Sequence, residues 1–93
     1  AKLFSSAQVL TTEALGFLAR CREQFDLVFL DPPYGDELLT QCLTAVEPHI
    51  ADGGLVVCES DDGQVLPETA GTLCADRTYR YGRVHITLYR RKL

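Results

Sequence analysis

The apolar positions of this 93-residue chain fall into short blocks separated by polar breaks. AQVLT, residues 7–11, predicts a short strand. TTEALGFLARCREQF, residues 11–25, predicts a helix, because Ala14, Leu15, Leu18, Cys21 and Phe25 recur at helical spacing. Thr11 or Thr12 can cap it, and Glu13 lies in the first turn, where the helix dipole favours an acid. LVFLD, residues 27–31, is apolar up to Asp31, the pattern of a parallel-sheet strand covered on both faces. DELLTQCLTAVEPHI, residues 36–50, predicts a second helix with Leu38, Leu39, Cys42, Leu43 and Val46 on one face and Pro48 at its end. Asp52-Gly53-Gly54 reads as a turn, GLVVCES (54–60) as a third apolar strand, and DDGQVLPETAG (61–71) as a polar loop.

The last segment, TLCADRTYRYGRVHITLYRR, differs in period. Two β-rich runs meet around Tyr81-Gly82-Arg83, and Val84, Ile86 and Leu88 alternate, which predicts a hairpin. The order is therefore β-α-β-α-β followed by β-β. That is an α/β class: a partial Rossmann-like sheet, parallel in its first part, with an antiparallel hairpin added at one edge. No linker or internal repeat divides residues 1–93, so a single domain is expected.

Composition narrows the classes. The chain is 46% hydrophobic and 24% charged, an ordinary globular balance. No apolar run nears the ~20 residues of a membrane helix, and AKLFSSAQ lacks the pattern of a signal peptide. The abrupt start without Met suggests a piece of something longer. Cys21, Cys42, Cys58 and Cys74 are widely spaced and lie in apolar patterns, so they read as small core residues of a cytoplasmic protein. With only His49 and His85 besides them, no metal-site spacing appears. The net charge of −4 argues against unspecific nucleic-acid binding by the whole surface. Basic residues nonetheless concentrate at the end: Arg77, Arg80, Arg83, Arg90, Arg91 and Lys92. They fit a solvated hairpin edge or a phosphate-facing patch.

The candidate chemistry lies in FDLVFLDPPYGD, residues 25–36. Asp31 ends a strand, where open α/β sheets bind ligands. Pro32 and Pro33 stiffen the exit and remove two N–H donors. What remains is rich in acceptors: the Asp31 carboxylate and the Pro32 carbonyl. Tyr34 adds a flat face, and Gly35 lets the chain turn into the next helix. Acceptors beside a ring suit a nucleobase with an exocyclic amine, which could donate to both and stack on Tyr34. Two acceptors held out of the base plane would also stabilise positive charge developing on the nitrogen during attack on an electrophile. The plain alternative is a strand-ending turn with no such role.

DPPY after a buried strand resembles motif IV of the S-adenosylmethionine-dependent amino-methyltransferases. AQVLTTEALGFL, FDLVFLDPPYGDELL, GGLVVCES and YRYGRVHITLYRR together resemble the RsmD family, which methylates a guanine amino group in small-subunit ribosomal RNA. The resemblance implies that Asp31, Pro32 and Tyr34 hold the target amine and base, with Pro33 and Gly35 as scaffold. It implies that Glu13 and Ala14, with Asp31, lie near the cofactor. It implies S-adenosylmethionine as donor, no metal, and ribosomal RNA or the small ribosomal subunit as partner. It covers only the C-terminal portion of the family's fold. The N-terminal cofactor-binding strands and their Gly-rich loop have no counterpart, since Gly53-Gly54 precedes a strand. The chain alone is therefore expected to be inactive. The resemblance also implies that the strand at 7–10 lies far from that at 27–31, so the first strand could repack, pair with a second copy, or fray. Glu59, ending the third strand, could face the cleft or serve as a structural acid.

Two other readings remain open from the residues. The substrate could be adenine in DNA or another nucleobase amine. Alternatively the chain could be a non-catalytic interaction module that keeps DPPY by ancestry and dimerises through an exposed sheet edge.

Overall fold

The computed structural model describes residues 3–5, 11–31, 36–61, 63 and 65–91, with side chains described for 15–31, 39–61, 63 and 65–91. The chain runs β1 (Leu3–Ser5), α1 (Thr11–Arg20), β2 (Phe25–Leu30), α2 (Asp36–Val46), a 3-10 turn (Glu47–His49), β3 (Ile50–Asp61), β4 (Thr69–Ala70), β5 (Leu73–Tyr81) and β6 (Val84–Arg91). These strands form one sheet in the order β1-β2-β3-β6-β5-β4. The pairs β1–β2 and β2–β3 are parallel, while β6 pairs antiparallel with both β3 and β5. The α/β class, the parallel unit and the terminal hairpin are as the sequence predicts.

Alternation along the strands defines the two faces. Val28 and Leu30 of β2, Val56 and Cys58 of β3, and Tyr89 of β6 point to one side. There they join Leu18 of α1 and Leu39, Cys42, Leu43 and Val46 of α2 in one buried cluster. On the other side Leu27, Phe29, Leu55, Val57, Ile86 and Leu88 are only half-buried. The expectation of cover on both faces is thus met on one: both described helices feed the same cluster. The apolar character of the second face still requires removal from water.

Several boundaries differ from expectation. Helix α1 ends at Arg20, closed by a Cys21 N–H to Leu18 C=O bond of 3.2 Å, and Phe25 opens β2 instead of ending the helix. Helix α2 ends at Val46, because Pro48 sits in the first residues of the 3-10 turn that follows. A two-residue strand, β4, closes part of the expected loop. The expected strand at 7–10 lies outside the described residues, and Thr11 belongs to α1. The first strand is instead Leu3–Ser5. It lies beside β2, with Leu3 opposite Leu27, where it satisfies backbone groups on an otherwise open edge.

The predicted Asp52-Gly53-Gly54 turn is a large bulge inside β3. Phe25 faces Ile50 while Leu27 faces Leu55, so residues 51–54 bow out of the ladder opposite Asp26. Gly53 takes φ +78° there. A Cβ on Gly54 would lie 2.8 Å from the Ala51 carbonyl oxygen and 3.1 Å from that of Phe25, both backbone atoms. Gly54→Ala should therefore lower stability by about 1–3 kcal/mol, read as a reduced urea midpoint. An unchanged midpoint would contradict the bulge.

The β5–β6 hairpin turns on Gly82 and Arg83, with Tyr81 opposite Val84. Gly82 has φ +62° and no described non-glycine residue has positive φ. Glycine at the first central position fits a II′ turn, whose twist matches that of the strands.

Candidate functional site

The three parallel strands end at one edge of the sheet, the edge at which open α/β sheets bind ligands. Asp31 is the residue after the end of β2. Because Leu30 is level with Cys58, the next residues, Asp31 and Glu59, are level too. The register brings their carboxyl groups into hydrogen-bond contact. Both residues are half-exposed and sit on the face opposite the core cluster.

The pair changes the acidity of Glu59. Its pKa is raised above the ordinary value of 4.5, first by the hydrogen bond to Asp31, then by partial burial, then by the charges of Asp31 and Asp61. Protonated Glu59 donates its O–H to an Asp31 oxygen. A carboxyl raised in the folded state contributes stability that is fully present below its unfolded value and is lost as pH rises through its folded value. Wild-type protein should therefore lose thermal stability relative to Glu59→Gln as pH rises from about 4 to neutrality. The check is a melting-temperature series across that range. Parallel curves would contradict the carboxyl contact.

The other sequence-assigned residues are placed less fully. Pro32, Pro33, Tyr34 and Gly35 lie outside the described residues. Glu13 and Ala14 are in the first turns of α1, but their side chains lie outside the described set. The structure thus joins Asp31 to Glu59, which the sequence leaves between a cleft role and a structural one. Its signal was its place: an acid ending an apolar strand beside the strand that ends in Asp31.

The terminal arginines divide. Arg91 is a structural tie: Nη2 donates to the Glu47 carbonyl at 2.6 Å and Nε to Thr72 Oγ1 at 3.1 Å. Its guanidinium also lies 3.6 Å from an Asp52 carboxylate oxygen, which fastens the end of β6 to the β3 bulge. Arg90 pairs with Asp76 at 3.2 Å on the surface. Arg77, Arg80 and Arg83 stay on the exposed hairpin, where Arg77 contacts the Tyr79 hydroxyl.

A cavity of about 260 Å³ lies on the covered face, lined by residues including Ser60, Pro67, Thr78, His85 and Thr87. Tyr89 closes its floor and donates to the Pro67 carbonyl at 2.6 Å. This cavity is on the opposite face from Asp31, and neither Asp31 nor Glu59 lines it. All four cysteines are free. Cys42 and Cys58 are buried in the core as expected, while Cys21 and Cys74 are half-buried. Burial pushes the Cys58 thiol up to about 12, which makes it unreactive. Among the described residues no three His, Cys, Asp or Glu side chains group as metal ligands. No described helix is long and apolar enough to cross a membrane.

Comparison with known proteins finds both a family and individual relatives. The pattern that defines the family described as Conserved hypothetical protein 95 matches residues 2–90. YlbH of Bacillus subtilis (strain 168) is 32% identical over 98% of this chain and 52% of its own length. The Ribosomal RNA small subunit methyltransferase D of Escherichia coli (strain K12) is 30% identical over 94% of this chain and 45% of its own. A solved structure of a conserved hypothetical protein from Streptococcus pyogenes superposes with a TM-score of 0.76 at 32% identity, covering 85% of this chain and 51% of that one. The chain spans about half the length of the curated relatives it matches.

Proposed function

The chain belongs to the Conserved hypothetical protein 95 family, and from that premise we propose that it is the amine-holding half of an RNA methyltransferase. The reaction is transfer of a methyl group from S-adenosylmethionine to the exocyclic amine of a guanine in small-subunit ribosomal RNA. The observation that carries this reading is the Asp31–Glu59 pair at the C-terminal edge of the parallel strands. The name of the Escherichia coli relative supports ribosomal RNA as substrate. The DPPY motif supports an amine as the acceptor.

When bound, S-adenosylmethionine supplies the methyl group as an electrophile. Gly53 and Gly54, the adjacent glycine pair of the sequence, belong to the β3 bulge. We expect the chain by itself to be inactive. Its single domain, residues 1–93, supplies the amine side of a class I methyltransferase fold, and the half-buried face around Phe29 and Val57 is the surface for the rest.

Asp31 accepts one N–H of the amine and lies where positive charge develops on nitrogen. The Pro32 carbonyl accepts the second, and the base stacks on Tyr34. Once methylated, the nitrogen releases a proton, for which the Asp31–Glu59 carboxyls are the adjacent acceptors. Glu59 acts through Asp31 by holding its orientation. Glu13 and Ala14 border the donor. Four free cysteines suit a cytoplasmic enzyme.

The test is methyl transfer by the full-length protein that carries this chain, offered ribosomal RNA fragments or duplex DNA. Digestion to nucleosides and mass analysis should find methylguanosine from RNA alone. Methyladenine from DNA, or no transfer to either, would overturn the reading.

A further inference from the structure

The hairpin carries an unused surface. Among the described residues four large hydrophobic side chains are exposed, and two of them are Tyr79 and Tyr81, at 39% and 66%. They lie two residues apart on β5 and so share a face. The register identifies that face. Tyr79 is opposite Ile86, which is opposite Glu59, and Glu59 contacts Asp31. Tyr81 is opposite Val84, which is opposite Asp61. The tyrosines therefore stand on the Asp31 face, in the row of the carboxyl pair and the row beyond it. Three strand spacings separate Tyr79 from Asp31, roughly 14 Å at ~4.8 Å each.

Charge agrees with a polyanionic partner. RTYRYGR, residues 77–83, holds three arginines and no acid in a chain of net charge −4. Asp76, the adjacent acid, is engaged by Arg90. Glu59 and Asp61 bound the face on the β3 side. Arginines interleaved with exposed rings match the makeup of surfaces that bind single strands, where rings stack on bases and cations follow phosphates.

We propose that Tyr79 and Tyr81 form a stacking platform for unpaired RNA nucleotides flanking the target guanine, with Arg77 and Arg83 against their phosphates. This rests on the reading of the chain as part of an RNA methyltransferase and adds residues that grip the strand outside the amine site. A base held at Asp31 leaves its neighbours along the sheet edge, and the hairpin is the next exposed aromatic surface on that face.

The test is titration of this chain with a fluorescein-labelled single-stranded RNA decamer, read by anisotropy. The chain has no tryptophan, so tyrosine emission can be followed, and the part of its quenching that is lost in the Tyr79 and Tyr81 variants reports stacking on the hairpin. Tyr79→Ala and Tyr81→Ala should each weaken binding roughly 5- to 150-fold, and Tyr81→Phe should bind as wild type because the ring is kept. Arg83→Ala should flatten the salt dependence by about 0.7 in log–log slope. Alanine variants that bind within twofold of wild type would overturn the platform, as would wild-type chain that does not bind the strand. Failed methyl transfer with the tyrosine-dependent binding intact would refute the proposed reaction and not the platform. Intact transfer with binding indifferent to the tyrosines would refute the platform alone.

Discussion

Asp31→Asn should lower single-turnover methyl transfer by the full-length protein about 10²- to 10³-fold, the usual loss when one preorganised group facing developing charge is removed. The substitution keeps the size and one acceptor oxygen but removes the negative charge. The amine can then still be bound, so KM for RNA should change little while the rate falls. That split separates a charge-stabilising role from simple binding. Asp31 is half-exposed just past the end of β2, level with Glu59, so the folded state should survive. A rate within threefold of wild type would remove Asp31 from the chemistry. Equal losses in binding and rate would make it a binding residue only.

The second large effect is on stability. Leu30→Ala should destabilise the protein by about 2–5 kcal/mol. Leu30 is 1% exposed, packs in the cluster with α2, and is the last residue of β2 before Asp31. A domain of this length has on the order of 5–14 kcal/mol of stability in all, so this one truncation removes a large share. The carboxyl pair should loosen with it, because Leu30 opposite Cys58 sets the register that makes Asp31 and Glu59 level. Urea unfolding measures the first effect. Loss of the Glu59-dependent pH response measures the second.

The architecture was readable from periodicity because the strongest patterns are also the most buried elements. LVFL and GLVVC form the centre of the sheet, and the alternation of Val84, Ile86 and Leu88 forms the hairpin. The misses have specific causes. Phe25 continues the helical spacing from Cys21, so a stripe of apolar residues could not show that the chain leaves the helix at Arg20. Gly53 and Gly54 signal a break in direction, but a turn and a bulge use the same residues, and only pairing with Phe25 and Leu27 distinguishes them. The site was legible in one half. Asp31 is marked by its own neighbours along the chain, whereas Glu59 becomes its partner through strand register, which one sequence does not specify. The arginines read as a single charged end. In the fold Arg91 is a packing tie and the hairpin arginines stay exposed, a division set by which strand end reaches the β3 bulge.

The most direct test of the central claim, that this edge of the sheet holds an exocyclic amine, is a nitrogen–proton NMR titration of the chain with guanosine and inosine monophosphates. The two ligands differ only in the amino group at the position proposed to donate to Asp31. The account predicts saturable shifts at the amides of Asp31 and Glu59 with the guanine nucleotide, and at least about tenfold weaker binding of the inosine nucleotide, since a site built to hydrogen-bond a group rejects the analogue that lacks it. Equal binding of the two, or shifts confined to residues away from Asp31 and Glu59, would contradict it.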